Sequence, residues 1–231
     1  MTARGAFVTV EGSEGAGKST ALGHIAAWLR ERQLPAHFSR EPGGTRIGEQ
    51  IRELLLDARH EGMAPMTELM LMFAARAQHV RECIEPALAR GQWVICDRFT
   101  DSSHAYQGAG RGVADADIDA LARLAHPDLT PDLTLLLDLP VCAGLARTRG
   151  RGQAPDRFER EQLAFFERVR EAFLARAHAD PNRFRVIDAT RALPEVAESI
   201  RAALDEFHRA WTVPCGGTSA EVGRQSSSES P

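Results

Sequence analysis

The sequence predicts an α/β fold in which a five-stranded parallel sheet is flanked by helices. Two observations support this prediction. Five short apolar runs alternate along the chain with segments of helical periodicity and turn residues. The first run leads directly into a Gly-rich turn and then a helix, and charged residues follow several of the later runs, at the edge of a parallel sheet where ligands bind.

The first strand, residues 6–10, is followed by Gly12-Ser13-Glu14-Gly15-Ala16-Gly17-Lys18-Ser19, which fits the template Gly, four residues, Gly-Lys-Ser. The three glycines let successive N–H groups point into one concavity, and the helix opening at Ser19 adds the positive end of its dipole. A triphosphate suits this loop, with Lys18 reaching the β- and γ-phosphates and the Ser19 hydroxyl as a Mg²⁺ ligand. The alternative is an accidental match, which arises in roughly one chain of this length in a hundred. Lys18 is the only lysine of the sequence, which favours phosphate binding.

Composition and charge narrow the class of protein. At 231 residues with 43% apolar residues, the chain suits a single soluble domain. A net charge of −4 argues against a large nucleic-acid surface, so the expected partners are small molecules. The cysteines lack metal-ligand spacing and are expected to be reduced thiols. With no N-terminal signal and no long apolar span, we expect a cytoplasmic protein without membrane contact.

The first half of the chain continues the alternation of strands and helices. A helix runs to Arg32, a second strand covers 36–39, and the turn Arg40-Glu41-Pro42-Gly43-Gly44-Thr45 places charges at its carboxyl end. The next helix has Arg52 on a different face from its apolar residues. A long helical segment then covers 66–89, and its apolar stripe predicts core or dimer packing, which Arg76 interrupts.

The second half adds further candidate ligand-binding segments. The third strand, 93–96, ends at Asp97-Arg98, which can reach the phosphate-binding loop if this strand neighbours the first. Residues 101–112 mix polar side chains and glycines with the only tyrosine of the sequence, and this predicts a ligand-contacting loop. Residues 147–157 are basic and poorly patterned, which suits a mobile lid or, equally, a solvated charged loop. The remaining predicted elements are a helix over 115–126, a strand over 133–137, a short helix from Val141, a helix over 158–177, a strand over 184–187 and a helix over 194–211.

Other sequence features distinguish among the classes of protein that use a phosphate-binding loop. Switch GTPases read guanine with Asn-Lys-x-Asp, and this sequence has no second lysine for it. Large motor or transport ATPases need further domains, for which the chain is too short. Arginines at strand ends and in the 147–157 segment exceed what one triphosphate requires, so a second phosphorylated substrate is expected.

Several segments together resemble bacterial thymidylate kinases, in the order of that family and over residues 5 to about 210. They are the Glu14-containing loop, Arg40-Glu41-Pro42-Gly43-Gly44-Thr45, Phe73-Ala74-Ala75-Arg76, Asp97-Arg98-Phe99, Ala105-Tyr106-Gln107-Gly108-Ala109-Gly110-Arg111-Gly112, and the stretch from Pro131-Asp132 to Asp138. The resemblance implies a P-loop NTPase fold like that of nucleoside monophosphate kinases, usually as a homodimer. It also implies transfer of the γ-phosphoryl group of ATP to dTMP with Mg²⁺, giving dTDP in dTTP biosynthesis. The expected organisation is one P-loop kinase domain over 1–211, a lid at about 147–157, and a disordered tail over 212–231.

The resemblance also implies residue roles. ATP would bind at Gly12, Ser13, Glu14, Gly15, Ala16, Gly17, Lys18 and Ser19. Catalysis would involve Lys18, Asp97, Arg98, Arg149 and Arg151, and Mg²⁺ would be held by Ser19 and Asp97. The dTMP site would contain Glu14 on the sugar hydroxyl, Arg52 and Arg98 on the phosphate, Phe73 on the thymine face, Tyr106 where a ribose 2′-hydroxyl would project, and Arg76, Ser103 and Gln107 at the base edge.

Two questions stay open at this point. Relatives place the stacking Phe four residues before the base-contacting Arg, where this sequence has Met72, so Phe73 or Met72 covers the base. The alternatives to a dTMP kinase are a kinase for another deoxynucleotide or a deoxynucleoside, and a nucleotide-gated binding module without transfer activity.

Overall fold

The sheet carries the functional loops at one edge. The computed structural model describes residues 4–149, 156–159 and 161–212. Its strands are β1 (Phe7–Glu11), β2 (Ala36–Arg40), β3 (Trp93–Asp97), β4 (Leu133–Asp138) and β5 (Phe184–Asp188). They form one parallel sheet in the order β2-β3-β1-β4-β5, which confirms the predicted five-stranded parallel sheet.

Helices connect the strands and cover both faces of the sheet. The α-helices of the described residues are α1 (Lys18–Glu31), α2 (Arg46–Leu56), α3 (Pro65–His79), α4 (Glu85–Ala89), α5 (Thr100–Ser103), α6 (Asp115–Ala125), α7 (Val141–Arg149), α8 (Leu163–Ala179) and α9 (Leu193–Thr212). A π-helical turn, Val80–Ile84, joins α3 to α4, so the predicted long helix is present with one irregular turn. None of the helices in the described ranges is long and apolar enough to cross a membrane.

The core follows from the alternation of side chains along the central strands. Val8 and Val10 of β1 point to one face and pack with Ile25 and Trp28 of α1 and with Leu204 of α9. The opposite face carries Phe7, in a cluster with residues of the π-helical turn, α4 and β3. Burying a large apolar side chain contributes about 1.5–3 kcal/mol, so these layers fix the sheet that positions the site.

The strand register brings two functional segments together. Val10 of β1 pairs with Asp97 of β3, and the Arg98 N–H donates to the Val10 carbonyl at 3.0 Å. The carboxyl ends of neighbouring parallel strands meet at one edge of the sheet. Asp97-Arg98 therefore stands beside the phosphate-binding loop, as the sequence predicted for neighbouring strands.

The prediction of a loop over residues 101–112 was wrong, because this segment is largely helical. It contains most of α5 and a π-helical stretch, His104–Gly110. Its glycines permit close packing instead of breaking the helix: a Cβ on Gly110 would lie 2.5 Å from the Phe165 ring of α8.

The predicted helix start at Phe158 was also wrong, since α8 begins at Leu163. Asp156 Oδ1 accepts the N–H groups of Phe158 and Glu159, both at 2.9 Å, which makes a local turn in place of a helix. Of the predicted tail, Thr212 ends α9 and 213–231 lie outside the described residues, as do 150–155 of the predicted lid.

Candidate active site

The Gly-rich loop forms a cradle between β1 and α1. Gly12, Gly15 and Gly17 all have positive φ, at 143°, 73° and 94°. At Gly15 a Cβ would lie 2.2 Å from the Gly144 carbonyl oxygen, so a side chain is excluded there. Gly17 caps α1 without a side-chain hydrogen bond, which leaves the N–H groups of the first turn for an anion.

Lys18 lies inside this cradle. Its Nζ donates to the Gly12 carbonyl at 3.2 Å. Burial, together with the positive charge of Arg98, lowers the pKa of Lys18 to about 8, while Asp97 and Glu14 partly oppose the shift. The Lys18 amine is therefore placed to bind a ligand that carries negative charge, which would stabilise its protonated form.

Arg98 follows β3 in a left-handed conformation with φ of 71°. Its Nη2 donates to Glu14 Oε1 at 3.0 Å, and its Nη1 donates to Ser102 Oγ at 3.2 Å. These contacts hold the guanidinium at the mouth of the cradle. Although burial opposes it, the carboxylates around Arg98, Glu14 first, raise its pKa, so Arg98 is a permanent cation.

Glu11, the last residue of β1, holds the segment that follows β3 through two hydrogen bonds. Its Oε1 accepts the Phe99 N–H at 2.8 Å, and its Oε2 accepts the Ser102 hydroxyl at 2.6 Å. Burial, reinforced by the negative charge of Asp101, raises the pKa of Glu11 to about 7. Glu11 was not among the predicted site residues, although a carboxylate that ends an otherwise uncharged strand is a usable signal in the sequence.

Asp97 carries an oxygen without a protein partner. Its Oδ1 is buried and makes no hydrogen bond in the described structure. A buried carboxylate oxygen without a partner suits a hard cation or a water held by one. The Ser19 side chain, in the first turn of α1, lines the same cavity.

Tyr106 and Glu14 form one wall of the cavity. The Tyr106 hydroxyl donates to both Glu14 carboxylate oxygens, with separations of 2.9 and 2.8 Å. The Arg98 guanidinium carbon lies 4.7 Å from the centre of the Tyr106 ring. Burial raises the pKa of Tyr106 well above its usual value, so the phenol stays protonated and keeps donating.

Arg76 lies at the opposite end, in a buried charged cluster. Its Nε donates to Glu41 Oε2 at 2.6 Å, its Nη1 donates to Ser103 Oγ at 3.1 Å, and Glu41 Oε1 lies 2.9 Å from His79 Nδ1. Burial alone would raise the pKa of Glu41, but Arg76 and His79 outweigh it and the pKa is lowered. Glu41 lies in the turn over residues 40–45 that resembles the family motif, but it was not among the predicted site residues.

These groups surround one cavity of about 240 Å³. It extends from the phosphate-binding loop to Arg76. The predicted site residues that line it are Glu14, Gly15, Ala16, Gly17, Lys18, Ser19, Arg52, Arg76, Asp97, Arg98, Ser103, Tyr106 and Gln107. Arg52 is held by donation from its Nη1 to the Pro42 carbonyl at 2.9 Å, and burial and nearby Arg40 lower its pKa.

Of the two side chains left open for covering the base, Met72 lines the cavity and Phe73 does not. Phe73 is 3% exposed and packs with Leu69 and Ile118, so it does not line the cavity. Successive residues on a helix differ in direction by about 100°, and this difference places the neighbouring Met72 on the cavity wall in its stead.

The predicted lid is described only in part. Arg149 is the last residue of α7, and Arg151 lies outside the described residues. Asp156, Phe158 and Glu159 also line the cavity. They were not predicted as site residues, because the arginines of this stretch were its most prominent feature in the sequence.

Comparison with known proteins gives a consistent family. The family model described as thymidylate kinase matches residues 10–200. The thymidylate kinase of Alkalilimnicola ehrlichii is 53% identical over 208 residues, covering 90% of this chain and 96% of the relative. That of Pseudomonas syringae pv. tomato is 54% identical over 203 residues, covering 88% and 96%. The crystal structure of the Ehrlichia chaffeensis thymidylate kinase superposes with a TM-score of 0.72 at 31% identity, covering 87% of this chain and 99% of that one.

Proposed function

The chain belongs to the thymidylate kinase family and is an ATP-dependent dTMP kinase, and from this premise we propose how its cavity performs the transfer. The observation that carries the proposal is that a single cavity joins the phosphate-binding loop to a buried, hydrogen-bonded recognition end. ATP enters over the loop and dTMP from the Arg76 end, so that the two phosphate chains meet near Arg98.

The loop residues 12–19 bind the phosphates of ATP. Lys18 contacts the β- and γ-phosphates, and the backbone N–H groups at the start of α1 hold the rest of the chain. The positive φ values of three loop glycines and the uncapped first turn support this assignment.

Ser19 and Asp97 hold Mg²⁺ in this proposal. The unpartnered Asp97 Oδ1 and the position of Ser19 on the same cavity wall support it, because Mg²⁺ takes oxygen ligands. When bound, the cation neutralises phosphate charge.

Arg98 and Arg52 hold the dTMP phosphate. An oxygen of that phosphate attacks the γ-phosphorus, the bond to the β–γ bridging oxygen breaks, and ADP leaves. No covalent bond to the protein is needed, because positioning and charge stabilisation are sufficient for this transfer. Arg149 and Arg151 close on the transferred phosphoryl group and complete the catalytic set.

The nucleoside of dTMP occupies the other end of the cavity. Glu14 binds the sugar hydroxyl, and the Tyr106 ring fills the space that a 2′-hydroxyl would need. Arg76, Ser103 and Gln107 bond the edge of the base, and Met72 covers its face. The position of each of these side chains on the cavity wall supports these roles.

Assembly and location complete the proposal. The chain forms a homodimer through its long helices, for which exposed Met66 and Met70 on α3 and Leu124 on α6 offer apolar surface. It works in the cytoplasm, where thiols stay reduced. The cysteines of the described residues, Cys83, Cys96 and Cys142, are free.

A panel of nucleoside monophosphates with Mg-ATP tests the specificity. We expect efficient turnover of dTMP and weak turnover of dCMP and dGMP, whereas equal turnover would favour a broader deoxynucleotide kinase. Lys18→Ala should abolish turnover, since losing a charged contact in a preorganised site costs orders of magnitude in rate. If the protein binds ATP but forms no dTDP from dTMP, the remaining interpretation is a nucleotide-gated binding module.

A further inference from the structure

A buried carboxylate stands behind the base-recognition end of the cavity. Glu68 of α3 is 0% exposed, and its Oε1 accepts Nε2 of Gln107 at 2.8 Å. Its Oε2 lies 2.6 Å from Nη2 of Arg157 and 3.4 Å from Nε of Arg111. Two guanidinium groups therefore balance the charge of Glu68, and neither Glu68 nor Arg157 lines the cavity.

The contact with Glu68 fixes which way the Gln107 amide faces. A carboxylate flanked by two arginines only accepts hydrogen bonds, so it must meet the NH₂ group of Gln107 and not its oxygen. Gln107 itself lines the cavity. With Nε2 turned toward Glu68, the amide oxygen Oε1 points away from Glu68 and is the acceptor that Gln107 can offer to a ligand.

Pyrimidine bases differ at the edge that this oxygen meets. Thymine carries an N3–H donor, whereas N3 of cytosine is an acceptor and would oppose Oε1 with no proton between them. A buried acceptor without a donor is costly, so the fixed amide rejects cytosine.

We propose that Glu68 is a specificity-determining positioning residue, which selects thymine over cytosine nucleotides by holding the Gln107 oxygen toward N3 of the base. The proposal rests on the base contact of Gln107 in the proposed function. It extends that function to a residue that touches no substrate.

The test compares dTMP with 5-methyl-2′-deoxycytidine 5′-monophosphate, which differs from dTMP only at the 3 and 4 positions of the ring. The measured quantity is the inhibition constant of the cytosine nucleotide divided by the KM for dTMP. In Glu68→Gln, the new amide places its oxygen toward Arg157 and its NH₂ group toward Gln107. The Gln107 amide is then expected to rotate, so that its oxygen faces residue 68 and its NH₂ group faces the base. We expect this ratio to fall by at least about tenfold.

Glu161→Gln is the matched control. Glu161 lies in the same ionic cluster, 2.5 Å from Nη1 of Arg111, whereas the hydrogen bond described for the Gln107 side chain goes to Glu68. The same neutralisation there should leave the ratio unchanged. If Glu68→Gln does not fold, the double variant Glu68→Gln/Arg157→Gln removes the unpaired cation and should show the same loss of discrimination.

The variant Gln107→Ala tests the base contact of Gln107 separately from the positioning role of Glu68. If Gln107→Ala lowers the ratio but the folded Glu68 variant keeps it within twofold of wild type, the Glu68 proposal fails alone. If Gln107→Ala also keeps the wild-type ratio, the base contact fails and the proposal fails with it. If the ratio falls as far in Glu161→Gln as in Glu68→Gln, the effect comes from the net charge of the ionic cluster, and the proposal that Glu68 orients Gln107 is overturned.

Discussion

Glu41→Gln is expected to destabilise the fold strongly and to weaken dTMP binding. Glu41 is 5% exposed and follows β2, and it holds the side chains of Arg76 and His79 from α3. The substitution keeps the shape of the side chain but removes the charge that balances the guanidinium of Arg76, a residue that is only 2% exposed. The uncompensated cation must then stay in the interior or pull α3 away from the sheet.

The size of the effect follows from the geometry. Arg76 Nε lies 2.6 Å from Glu41 Oε2, and with delocalised charge centres about 4 Å apart and an effective dielectric constant near 20, the attraction is about 4 kcal/mol. Breaking a buried pair by removing one partner costs about 3–5 kcal/mol, in agreement with that figure. For a chain of this size, each kcal/mol lowers Tm by about 2–4 °C, so we expect a decrease of about 8–16 °C.

Thermal unfolding followed by circular dichroism measures this decrease, and steady-state kinetics measures the KM for dTMP. Glu31→Gln is the control, because Glu31 pairs with Arg201 at the surface and its loss should leave Tm nearly unchanged. A KM for dTMP raised several-fold with an unchanged KM for ATP would place the damage at Arg76. If Glu41→Gln melts within 2 °C of the wild type, the argument from a paired buried charge is refuted.

Three further predictions concern Lys18 and Tyr106, which line the cavity, and the buried carboxylate of Glu11. Because the pKa of Lys18 is lowered to about 8, kcat/KM for ATP should fall as the pH rises above 8, and a profile flat to pH 10 would contradict this. Tyr106→Ala should relax discrimination against the ribose analogue of dTMP, whereas Tyr106→Phe, which loses only the hydroxyl bonded to Glu14, should retain it. Because burial raises the pKa of Glu11 from 4.5 to about 7, the folded state holds this proton more tightly than the unfolded state, and the Glu11 contribution to stability is lost as the pH rises through that range. Urea midpoints at pH 5–8 should therefore decline less in Glu11→Gln than in the wild type.

The sequence predicted the parts of the site that depend on chain order and strand ends. The phosphate-binding loop is a local sequence motif, and the positive φ values of its glycines and the hydrogen bond from Lys18 to the Gly12 carbonyl both lie within that motif. Asp97-Arg98 was expected beside this loop only if β3 neighbours β1, and the register of Val10 with Asp97 satisfies that condition.

The remaining features depend on tertiary packing. Whether Phe73 or Met72 reaches the cavity is decided by how α3 rotates against α6, which a shared apolar stripe does not specify. The π-helical stretch was read as a loop because its glycines look like breaks, although Gly110 is needed where the Phe165 ring approaches. Glu68 and Arg157 are distant in sequence, and only the fold shows that their charges meet.

The solitary lysine has a practical consequence. Apart from the N-terminal amine, Lys18 carries the one amine in the sequence for amine-selective acylating reagents, and because its pKa is lowered to about 8, a large fraction of this amine is unprotonated near pH 8. Tagging of the peptide that contains Lys18, measured separately from the N-terminal peptide, would therefore report on a single interior position. The extent of tagging, read by mass spectrometry, would measure directly how fully a nucleotide occupies the cradle.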